Sequence, residues 1–532
     1  MTDVIVIGGG HNGLVAAAFL AKAGLKVVVL ERSDRAGGCA RSDEISPGFH
    51  CPTLAHTASI DPAIVRALTL EKHGLQIIRP DAAACAPADD GRAVVLWQDE
   101  GRAQRDIAIQ NATDAKKYPE FLASFSRISR VLRSVSQAQA PSVDGPSAGD
   151  FVELLKTGRA FRGLPKADAY RLLRWMPMAV ADLVGEWFTS EPLRASIAAG
   201  GVLGSFLGPW SAGSAAVLMW LGATEGHPVA TGWFARGGMN TVSDALLAAA
   251  REAGVEVRTG ADVIRITVSD GSASGVVLAS GEEVTAKLVA SNLDPKRTLL
   301  GLVDPIDLEP EVLRRTQNIR AHGTLAKVNF AVDRAPQFAS LAARPEDERT
   351  AAMSGRVRLG RNIDSIERAF DAAKYGKLSD DPWIELTIPS ITDPALAPSG
   401  KHVVSAYVQY APYRLRDTTW DQERGRLADV ATATIERYAP GFTASVVARQ
   451  TITPLDLERL GGLTGGHIFH GELALDQLFI TRPLLGWAQY QTPVRQLYLC
   501  GSGAHPGNGL TGRTGALAAQ AMVSAIGRRG RG

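Results

Sequence analysis

The sequence predicts an α/β protein organised around a parallel sheet. A short apolar run near the start of the chain leads directly into Gly8, Gly10 and Gly13. The next apolar run ends at Glu31, and a second glycine-rich stretch lies near the other end of the chain, at residues 501–512. Strand, glycine turn, helix and acceptor carboxylate follow one another as they do in dinucleotide-binding βαβ units.

The first predicted strand, residues 4–7, is an unbroken run of Val and Ile, which is typical of a strand buried on both faces of a parallel sheet. Gly8 permits a tight turn, Gly10 lets a pyrophosphate approach the backbone, and Gly13 lets the helix pack closely on the strand. The free N–H groups at the start of that helix face the phosphates. The helix is predicted to end at Gly24.

Glu31 stands about 20 residues beyond the glycines, where a carboxylate accepts hydrogen bonds from a ribose and repels a 2′-phosphate. The glycine motif alone leaves NAD and FAD open. The chain continues as ERxxRxGGxxxS, with Arg32, Gly37, Gly38 and Arg41. This stretch resembles the FAD-dependent oxidoreductases that include phytoene desaturases, carotenoid isomerases, retinol saturase and amine oxidases. The resemblance implies FAD, with its adenine half on the first glycines and its flavin half near the second pair.

The second glycine-rich stretch follows a predicted strand at residues 497–500 and opens a final helix. Its GxGxxG pattern has too little chain after it for another βαβ unit. We therefore interpret it as a loop that returns to the first glycines and faces the flavin ring or its pyrophosphate. LYLCGSGxHPGxGxxG resembles the branch of the phytoene desaturase-like family called pyridine-nucleotide-disulfide-oxidoreductase-domain-containing proteins. The resemblance implies cofactor contacts from Gly501, Ser502, Gly509, Leu510 and Thr511.

The same resemblance implies a glutathione-reductase-type, Rossmann-like FAD-binding domain that is discontinuous in sequence, with an inserted α+β substrate domain. In this arrangement Val263 meets the adenine through its backbone. The predicted FAD-binding domain comprises residues 1–95, 233–298 and 486–532. Residues 96–232 are predicted to form the helical part of the substrate domain, and residues 299–485 its sheet-containing part.

The composition is ordinary for a protein of 532 residues, with 21% charged residues and a formal net charge of +2. This balance argues against nucleic acid as a partner. The four cysteines, Cys39, Cys51, Cys85 and Cys500, are widely spaced and form no CxxC pair, so neither a redox disulfide nor a metal site is predicted. With no leader segment recognised, a cytoplasmic location is expected.

The middle of the chain favours an apolar substrate. Residues 195–223 are strongly apolar but are interrupted by glycines, so we interpret them as buried helices rather than a membrane span. Residues 151–184 combine basic and apolar side chains; solvated helices are the favoured interpretation, and peripheral membrane contact is left open. Lys327 is interpreted as a solvent-exposed strand residue, with a functional amine as the alternative.

The predicted reaction is hydride transfer from a C–H bond of a lipid-like or isoprenoid-like substrate to flavin N5. An amine oxidase, a redox-neutral isomerase or a saturase of a polyene, and a noncatalytic flavin-fold interaction protein are the alternatives. No general base is assigned, and the weak candidates for catalysis are His50, His505 and Thr511. Oxygen or a quinone is the expected electron acceptor. Homo-oligomer formation and covalent attachment of the flavin are left open.

Overall fold

The computed structural model describes residues 2–88, 90–143, 145–146, 148–224, 227–229 and 232–529. In chain order, its strands are β1 (Thr2–Ile7), β2 (Val27–Leu30), β3 (Ser42–Ser46), β4 (Phe49–Pro52), β5 (Ile77–Ile78), β6 (Ala82–Pro87), β7 (Ala93–Trp97), β8 (Phe234–Ala235), β9 (Glu256–Arg258), β10 (Val263–Ser269), β11 (Ser272–Leu278), β12 (Glu283–Ser291), β13 (Leu325–Val332), β14 (Arg356–Leu359), β15 (Trp383–Thr387), β16 (His402–Gln409), β17 (Val446–Ile452) and β18 (Leu497–Leu499).

The α-helices lie between these strands and provide most of the cover over the sheets. They are α1 (His11–Lys22), α2 (Pro62–Ala67), α3 (Glu100–Gln110), α4 (Ala112–Gln137), α5 (Ala148–Arg162), α6 (Lys166–Trp175), α7 (Val180–Trp187), α8 (Glu191–Ala198), α9 (Ser214–Ala223), α10 (Met239–Glu252), α11 (Pro310–Gln317), α12 (Glu346–Ala352), α13 (Ile363–Lys374), α14 (Pro389–Thr392), α15 (Trp420–Tyr438), α16 (Phe442–Ser445), α17 (Pro454–Gly461) and α18 (Arg513–Arg529).

The first sheet has the strand order β10-β11-β12-β1-β2-β9, and β18 also pairs with β12. β1 is parallel to both β2 and β12, so the glycine turn that follows β1 lies in the middle of the sheet. Helices α1, α10 and α18 pack together beside this sheet in one apolar core that includes Leu14, Leu246 and Met522. The predicted α/β unit is therefore present, and it is assembled from distant parts of the chain.

The second sheet is mainly antiparallel, with the order β17-β13-β16-β15-β14-β6-β7. One face packs against helices from the middle of the chain, in a core that includes Phe121, Leu218 and Phe330. β6 pairs with β14 on one side and with β7 on the other, so both β6 and β7 belong to this sheet. The predicted boundary at residue 95 therefore needs correction, because the hydrogen bonds of β6 place residues from about 82 onward with the second sheet.

The strongly apolar residues 195–223 form the end of α8, a short 3-10 turn, an irregular connection at residues 202–213, and α9. Val217, Leu218 and Met219 on α9 are almost completely buried. Across the described parts of the chain, no helix has both the length and the apolar character needed to cross a membrane. The helical parts of this stretch thus belong to the interior of the molecule, as the interrupting glycines predict, whereas Trp210 in the connection is exposed.

Candidate active site

A cavity of about 360 Å³ opens where β1 ends. We call it the glycine-lined cavity. Eight of the residues predicted to bind the cofactor line its walls: Gly8, Gly10, Glu31, Arg32, Gly38, Arg41, Val263 and Ser502. The fold therefore brings together residues from β1, the segment after β2, β10 and the loop after β18.

The floor of the glycine-lined cavity is bare backbone. Gly8 has a φ of +90°, which L-residues with side chains rarely adopt. A Cβ atom on Gly10 would lie 2.7 Å from Asn292 Nδ2, and one on Gly38 would lie 3.0 Å from the Gly10 Cα. Side chains at these positions would fill a space that a pyrophosphate can occupy.

Glu31 holds its carboxylate at the edge of the cavity. Its Oε2 accepts a hydrogen bond from the Gly9 N–H at 2.7 Å, and its Oε1 accepts one from the Ser33 N–H at 2.9 Å. The side chain is only 9% exposed. These two bonds fix the carboxylate and leave further lone pairs for ribose hydroxyls.

The C-terminal loop returns to the first glycine turn. The Asn12 side chain donates to Ser502 Oγ at 3.0 Å and accepts from the Gly515 N–H at 3.3 Å. His11 Nε2 lies 3.2 Å from the Gly509 carbonyl oxygen. The start of α1 and the start of α18 therefore close one side of the cavity together.

Several predicted residues support the cavity from behind its wall. A Cβ atom on Gly13 would lie 2.2 Å from the Gly8 carbonyl oxygen, and one on Gly501 would lie 2.3 Å from the Asn292 carbonyl oxygen. The Gly37 N–H donates to the Gly9 carbonyl at 2.8 Å. Thr511 is buried and donates to Asn508 Oδ1 at 3.1 Å. These positions require close packing rather than direct exposure to a ligand.

His50 and His505 lie outside the walls of the glycine-lined cavity and of the second cavity described next. His50 is exposed on β4, opposite Glu44. His505 is fully buried, with Nε2 3.2 Å from the Val135 carbonyl oxygen, and burial lowers its pKa to about 4. The structure therefore places neither histidine on the wall of either cavity.

A second cavity, of about 160 Å³, adjoins the first, and we call it the leucine-lined cavity. The two cavities share five wall residues, namely His11, Cys39, Leu54, His470 and Ser502. The apolar wall of the second cavity includes Leu203, Leu218, Leu221, Leu325, Leu457 and Leu463, and Gly509 and Leu510 also reach it. A ligand in the leucine-lined cavity would therefore lie directly against a ligand in the glycine-lined cavity.

The floor of the leucine-lined cavity contains a lysine that was predicted to be exposed. That prediction is wrong: Lys327 is 0% exposed, and its Nζ donates to the Leu54 carbonyl at 2.8 Å. Burial lowers the pKa of Lys327 well below its ordinary value. In the sequence, Lys327 and Asn329 alternate with Val328 and Phe330, a pattern typical of a strand with one solvated face. Here that polar face lies against the cavity.

Sequence reasoning also missed wall residues that carry no motif. Asn292 and Arg297 line the glycine-lined cavity, and the chain forms a single π-helical turn over Arg297–Leu302 at its edge. Asn12 lies two residues after Gly10, and its position inside the glycine motif is the sequence signal that could have identified it. Asn292 directly follows β12, which is the neighbour of β1, and only the sheet order reveals this proximity.

A mixed sheet with parallel central strands and a central glycine turn, a cavity floored by bare backbone and an adjoining apolar cavity are together characteristic of FAD-dependent oxidoreductases. The family model described as flavin containing amine oxidoreductase matches residues 13–509. The chain belongs to this family, and FAD is its cofactor.

Curated relatives extend over nearly the whole chain. Pyridine nucleotide-disulfide oxidoreductase domain-containing protein 2 of Rattus norvegicus is 36% identical and covers 97% of this chain and 92% of its own length. A lycopene-forming phytoene desaturase of a Paracoccus species is 26% identical, with coverage of 98% and 96%. The lycopene-forming phytoene desaturase of Pantoea ananas is also 26% identical, with coverage of 98% of each chain. The predicted resemblance to phytoene desaturase-like oxidoreductases is confirmed.

Solved structures show the same fold at low sequence identity. A variant of putrescine oxidase aligns with a TM-score of 0.63 and 17% identity, covering 99% of each chain. Cyclohexylamine oxidase from Brevibacterium oxydans aligns with a TM-score of 0.57 and 16% identity, covering 100% of each chain. The predicted fold class is therefore confirmed.

Proposed function

We propose that this FAD-dependent oxidoreductase is a dehydrogenase or desaturase that acts on a C–H bond of an apolar, lipid-like or isoprenoid-like substrate. The observation that carries the proposal is the leucine-lined cavity, which shares five wall residues with the glycine-lined cavity. When bound, FAD supplies the hydride acceptor at flavin N5. The apolar wall orients the substrate and excludes water from the reacting carbon atoms.

We propose that FAD is held in the glycine-lined cavity by the residues predicted from the sequence. The bare backbone of the two glycine pairs suits the pyrophosphate, and the fixed Glu31 carboxylate suits the adenosine ribose. The proposed set is Gly8, Gly10, Gly13, Glu31, Arg32, Gly37, Gly38, Arg41, Val263, Gly501, Ser502, Gly509, Leu510 and Thr511. Of these, Gly13, Gly37, Gly501 and Thr511 act by shaping the wall.

Lys327 is the residue that we propose as the proton acceptor. In a desaturation the substrate loses a hydride to the flavin and a proton to a base, and a carbon–carbon double bond forms. Lys327 lines the cavity, and its lowered pKa favours the neutral amine, whose lone pair can accept a proton. Its hydrogen bond to the Leu54 carbonyl holds Nζ in place.

The test is anaerobic mixing of the FAD-loaded protein with a panel of apolar C–H donors, polyenes and amines. Desaturation predicts bleaching of the oxidised flavin spectrum and a product two hydrogens lighter than the substrate. A product of unchanged mass would indicate an isomerase. A product two hydrogens heavier than the substrate, formed when the protein is supplied with reduced flavin, would indicate a saturase. Bleaching by amines alone would indicate an amine oxidase, and no bleaching by any donor would favour a noncatalytic role.

The aromatic lining argues against an amine oxidase. Among the described wall residues of the leucine-lined cavity, the Phe and Tyr side chains are Phe469 and Tyr407. The Tyr407 ring is stacked against His56, with ring centroids 3.6 Å apart. Tyr407 is therefore engaged with a neighbouring ring rather than standing open as one wall of an aromatic cage for a cationic amine.

We propose oxygen or a quinone as the electron acceptor. Support comes from the first sheet, in which the single glycine turn after β1 already serves the cofactor cavity among the described residues. Stopped-flow mixing of the substrate-reduced protein with oxygen, with a water-soluble quinone and with NAD(P)⁺ tests this. Faster reoxidation by NAD(P)⁺ than by the other two would contradict it.

We also propose peripheral contact with anionic lipid through α5. Its apolar side chains Phe151 and Leu155 are 56% and 73% exposed, and Lys156, Arg159 and Arg162 lie on the same helix. Exposed apolar and basic groups together are typical of interfacial helices. Co-sedimentation with anionic vesicles should fall when Leu155→Asp is introduced, whereas Ile306→Asp, which changes another exposed side chain, should have little effect. Equal retention of both variants would contradict the contact.

A further inference from the structure

A row of polar side chains crosses the second sheet beneath the leucine-lined cavity. Lys327, Tyr407, Glu385 and Arg358 are direct register partners on β13, β16, β15 and β14. Directly opposite residues place their side chains on the same face of a sheet. All four side chains are buried, and Lys327, Tyr407 and Arg358 line the cavity together with Arg356. We call the four register partners Lys327, Tyr407, Glu385 and Arg358 the polar row.

Two guanidinium groups lie at one end of the polar row, beside the cavity. Glu385 is 0% exposed; its Oε2 accepts from Arg358 Nε at 2.9 Å, and its Oε1 accepts from Arg356. Burial opposes ionisation of Glu385, but the two guanidinium groups outweigh it and lower its pKa. Arg358 also donates through Nη1 to the Ser196 carbonyl. A guanidinium has five N–H donors, so these bonds leave further donors on Arg358 for an anionic ligand.

His56 supplies a second, independent observation. Its ring is 3% exposed and lines the leucine-lined cavity, yet neither ring nitrogen has a hydrogen-bond partner among the described residues. Burial, with the positive charge of Arg356 nearby, lowers the pKa of His56 well below its ordinary value. A neutral imidazole has one N–H to donate, and burial without a partner costs free energy. A ligand with an acceptor group would provide that partner.

The remaining wall of the cavity is suited to a chain of carbon atoms. Leu203, Leu218 and Leu221 approach from the helical side, and Leu325 and Leu463 from the side of the second sheet. The polar row begins at Lys327, whose Nζ bonds to Leu54, a residue shared with the glycine-lined cavity. It ends at Arg358, three strands away, which corresponds to roughly 14 Å at the usual spacing between strands.

We propose that the substrate is an apolar chain with a carboxylate at one end, and that this carboxylate binds among Arg358, Arg356 and His56. The inference rests on the proposed function, because it names the substrate class of the same cavity. Arg358 lies on β14, three strands from the strand that carries Lys327, so the carboxylate is placed toward the β14 side of the cavity.

The test compares three probes of equal chain length, decanoate, 1-decanol and decylamine, on the FAD-loaded protein. Isothermal titration calorimetry measures binding without requiring turnover. We expect decanoate to bind about tenfold or more tightly than either other probe, the size expected for a charge-assisted hydrogen bond. Equal binding of the three probes, or preference for the amine, would overturn the inference.

Two substitutions should change the preference in opposite directions. Arg358→Gln removes one guanidinium from the proposed carboxylate site, so decanoate binding should weaken while 1-decanol binding is unchanged. Glu385→Gln removes the competing carboxylate, so decanoate binding should tighten. A purely structural role for the cluster predicts weaker binding of every probe in both variants, and that result would contradict the proposal. The two variants are expected to change decanoate binding in opposite directions. If one variant fails to fold, the other still tests the proposal.

A matched control and a separate readout complete the design. Arg449→Gln removes a guanidinium from β17 of the same sheet, where the side chain is 40% exposed and pairs with Asp429; it should not alter decanoate binding. The visible spectrum of each protein shows whether FAD is retained. Retained FAD and substrate-dependent bleaching without carboxylate preference would refute this inference alone, whereas absence of bleaching with every donor would refute the proposed function.

Discussion

Two residues of the site occupy environments that are unusual for their type. Lys327 carries an amine that has no solvent exposure. Gly10 has a φ of −71°, which any residue can adopt, but its surroundings leave no room for a side chain. In each case the neighbouring atoms, rather than the local backbone, restrict the residue. Substitutions at these two positions therefore test the site more directly than substitutions at strained backbone positions.

Lys327→Met should remove a pH dependence of stability. Because burial lowers the pKa of Lys327 below its ordinary value of 10.5, the unfolded chain binds a proton that the folded chain releases. Stability therefore rises with pH between the folded pKa and 10.5, by up to about 1.4 kcal/mol per pH unit. Urea unfolding of the FAD-loaded protein at pH 8 and 9 measures this slope.

Between pH 8 and pH 9, the free energy of unfolding of Lys327→Met should increase less than that of the parent protein. Lys401→Met, which changes an exposed lysine, should show the same increase as the parent. Identical slopes for all three proteins would show that Lys327 titrates normally. Substrate-dependent flavin bleaching should also be slowed in Lys327→Met, because the proposed proton acceptor is lost.

Gly10→Ala should weaken FAD binding without unfolding the protein. The new Cβ would lie 2.7 Å from the end of the Asn292 side chain and would extend into the glycine-lined cavity. We expect at least about a tenfold loss of FAD affinity, or about 1.4 kcal/mol. Fluorescence titration with FAD is the measurement. Gly425→Ala on α15, where a Cβ meets open space, is the control, and equal affinity of both variants would refute the assignment.

Two elements near the cofactor are joined by one buried arginine. Arg482 is 2% exposed, and its guanidinium donates to the carbonyl oxygens of Phe469 at 2.6 Å, Ser502 at 2.8 Å and Glu472 at 3.0 Å. Burial lowers its pKa to about 9. The guanidinium thus ties the irregular segment at residues 465–483 to the loop after β18, which forms part of both cavities.

Arg482→Met should destabilise the protein by roughly 3 kcal/mol, because several buried carbonyl groups lose their donor at once. Arg482→Lys should restore little of this, since an ammonium cannot reproduce the planar set of donors. Chemical unfolding without added FAD measures the effect. Arg495→Met, at an exposed position near β18, should cost much less. Similar losses for Arg482→Met and Arg495→Met would contradict this role.

The sequence predicts elements better than it predicts what they face. The apolar runs of β1 and β2, the glycine turn and the C-terminal helix follow from local patterns, and all are found where predicted. The alternation in β13 correctly indicates a strand with one polar face. Which environment covers that face depends on packing between the two sheets, and for this reason Lys327 was placed in solvent. Asn292 and Arg358 were missed because only long-range strand pairing brings them to the cavities.

On the scale of the whole molecule, the glycine-lined cavity draws on segments that are hundreds of residues apart. Gly10, Val263, Gly462 and Ser502 all line it. A ligand that contacts all four restrains the first sheet, the segment after α17 and the C-terminal loop relative to one another. Binding of FAD is therefore expected to stabilise the molecule as a unit.

Addition of FAD should raise the free energy of unfolding of the whole chain. At a free FAD concentration about 100 times the dissociation constant, the gain is about 2.7 kcal/mol for a noncovalent cofactor. Thermal unfolding followed by circular dichroism, with and without FAD, measures it, and Gly10→Ala should reduce the shift. If denaturation leaves the flavin spectrum with the polypeptide, the flavin is covalent and the shift should not depend on FAD concentration.

The hydrogen bonds between Asn12 and both Ser502 and Gly515 join segments 490 and 503 residues apart, so they form only after the later segment has been synthesised. Translation proceeds from the N-terminal side, so the first glycine turn is made several hundred residues before β18 and α18. Until β18 is made, β12 pairs in parallel only with β1, and one side of the glycine-lined cavity is missing. Loading with cofactor is thus a late event in biogenesis, and the newly made N-terminal half must remain unaggregated until the distant end of the chain arrives.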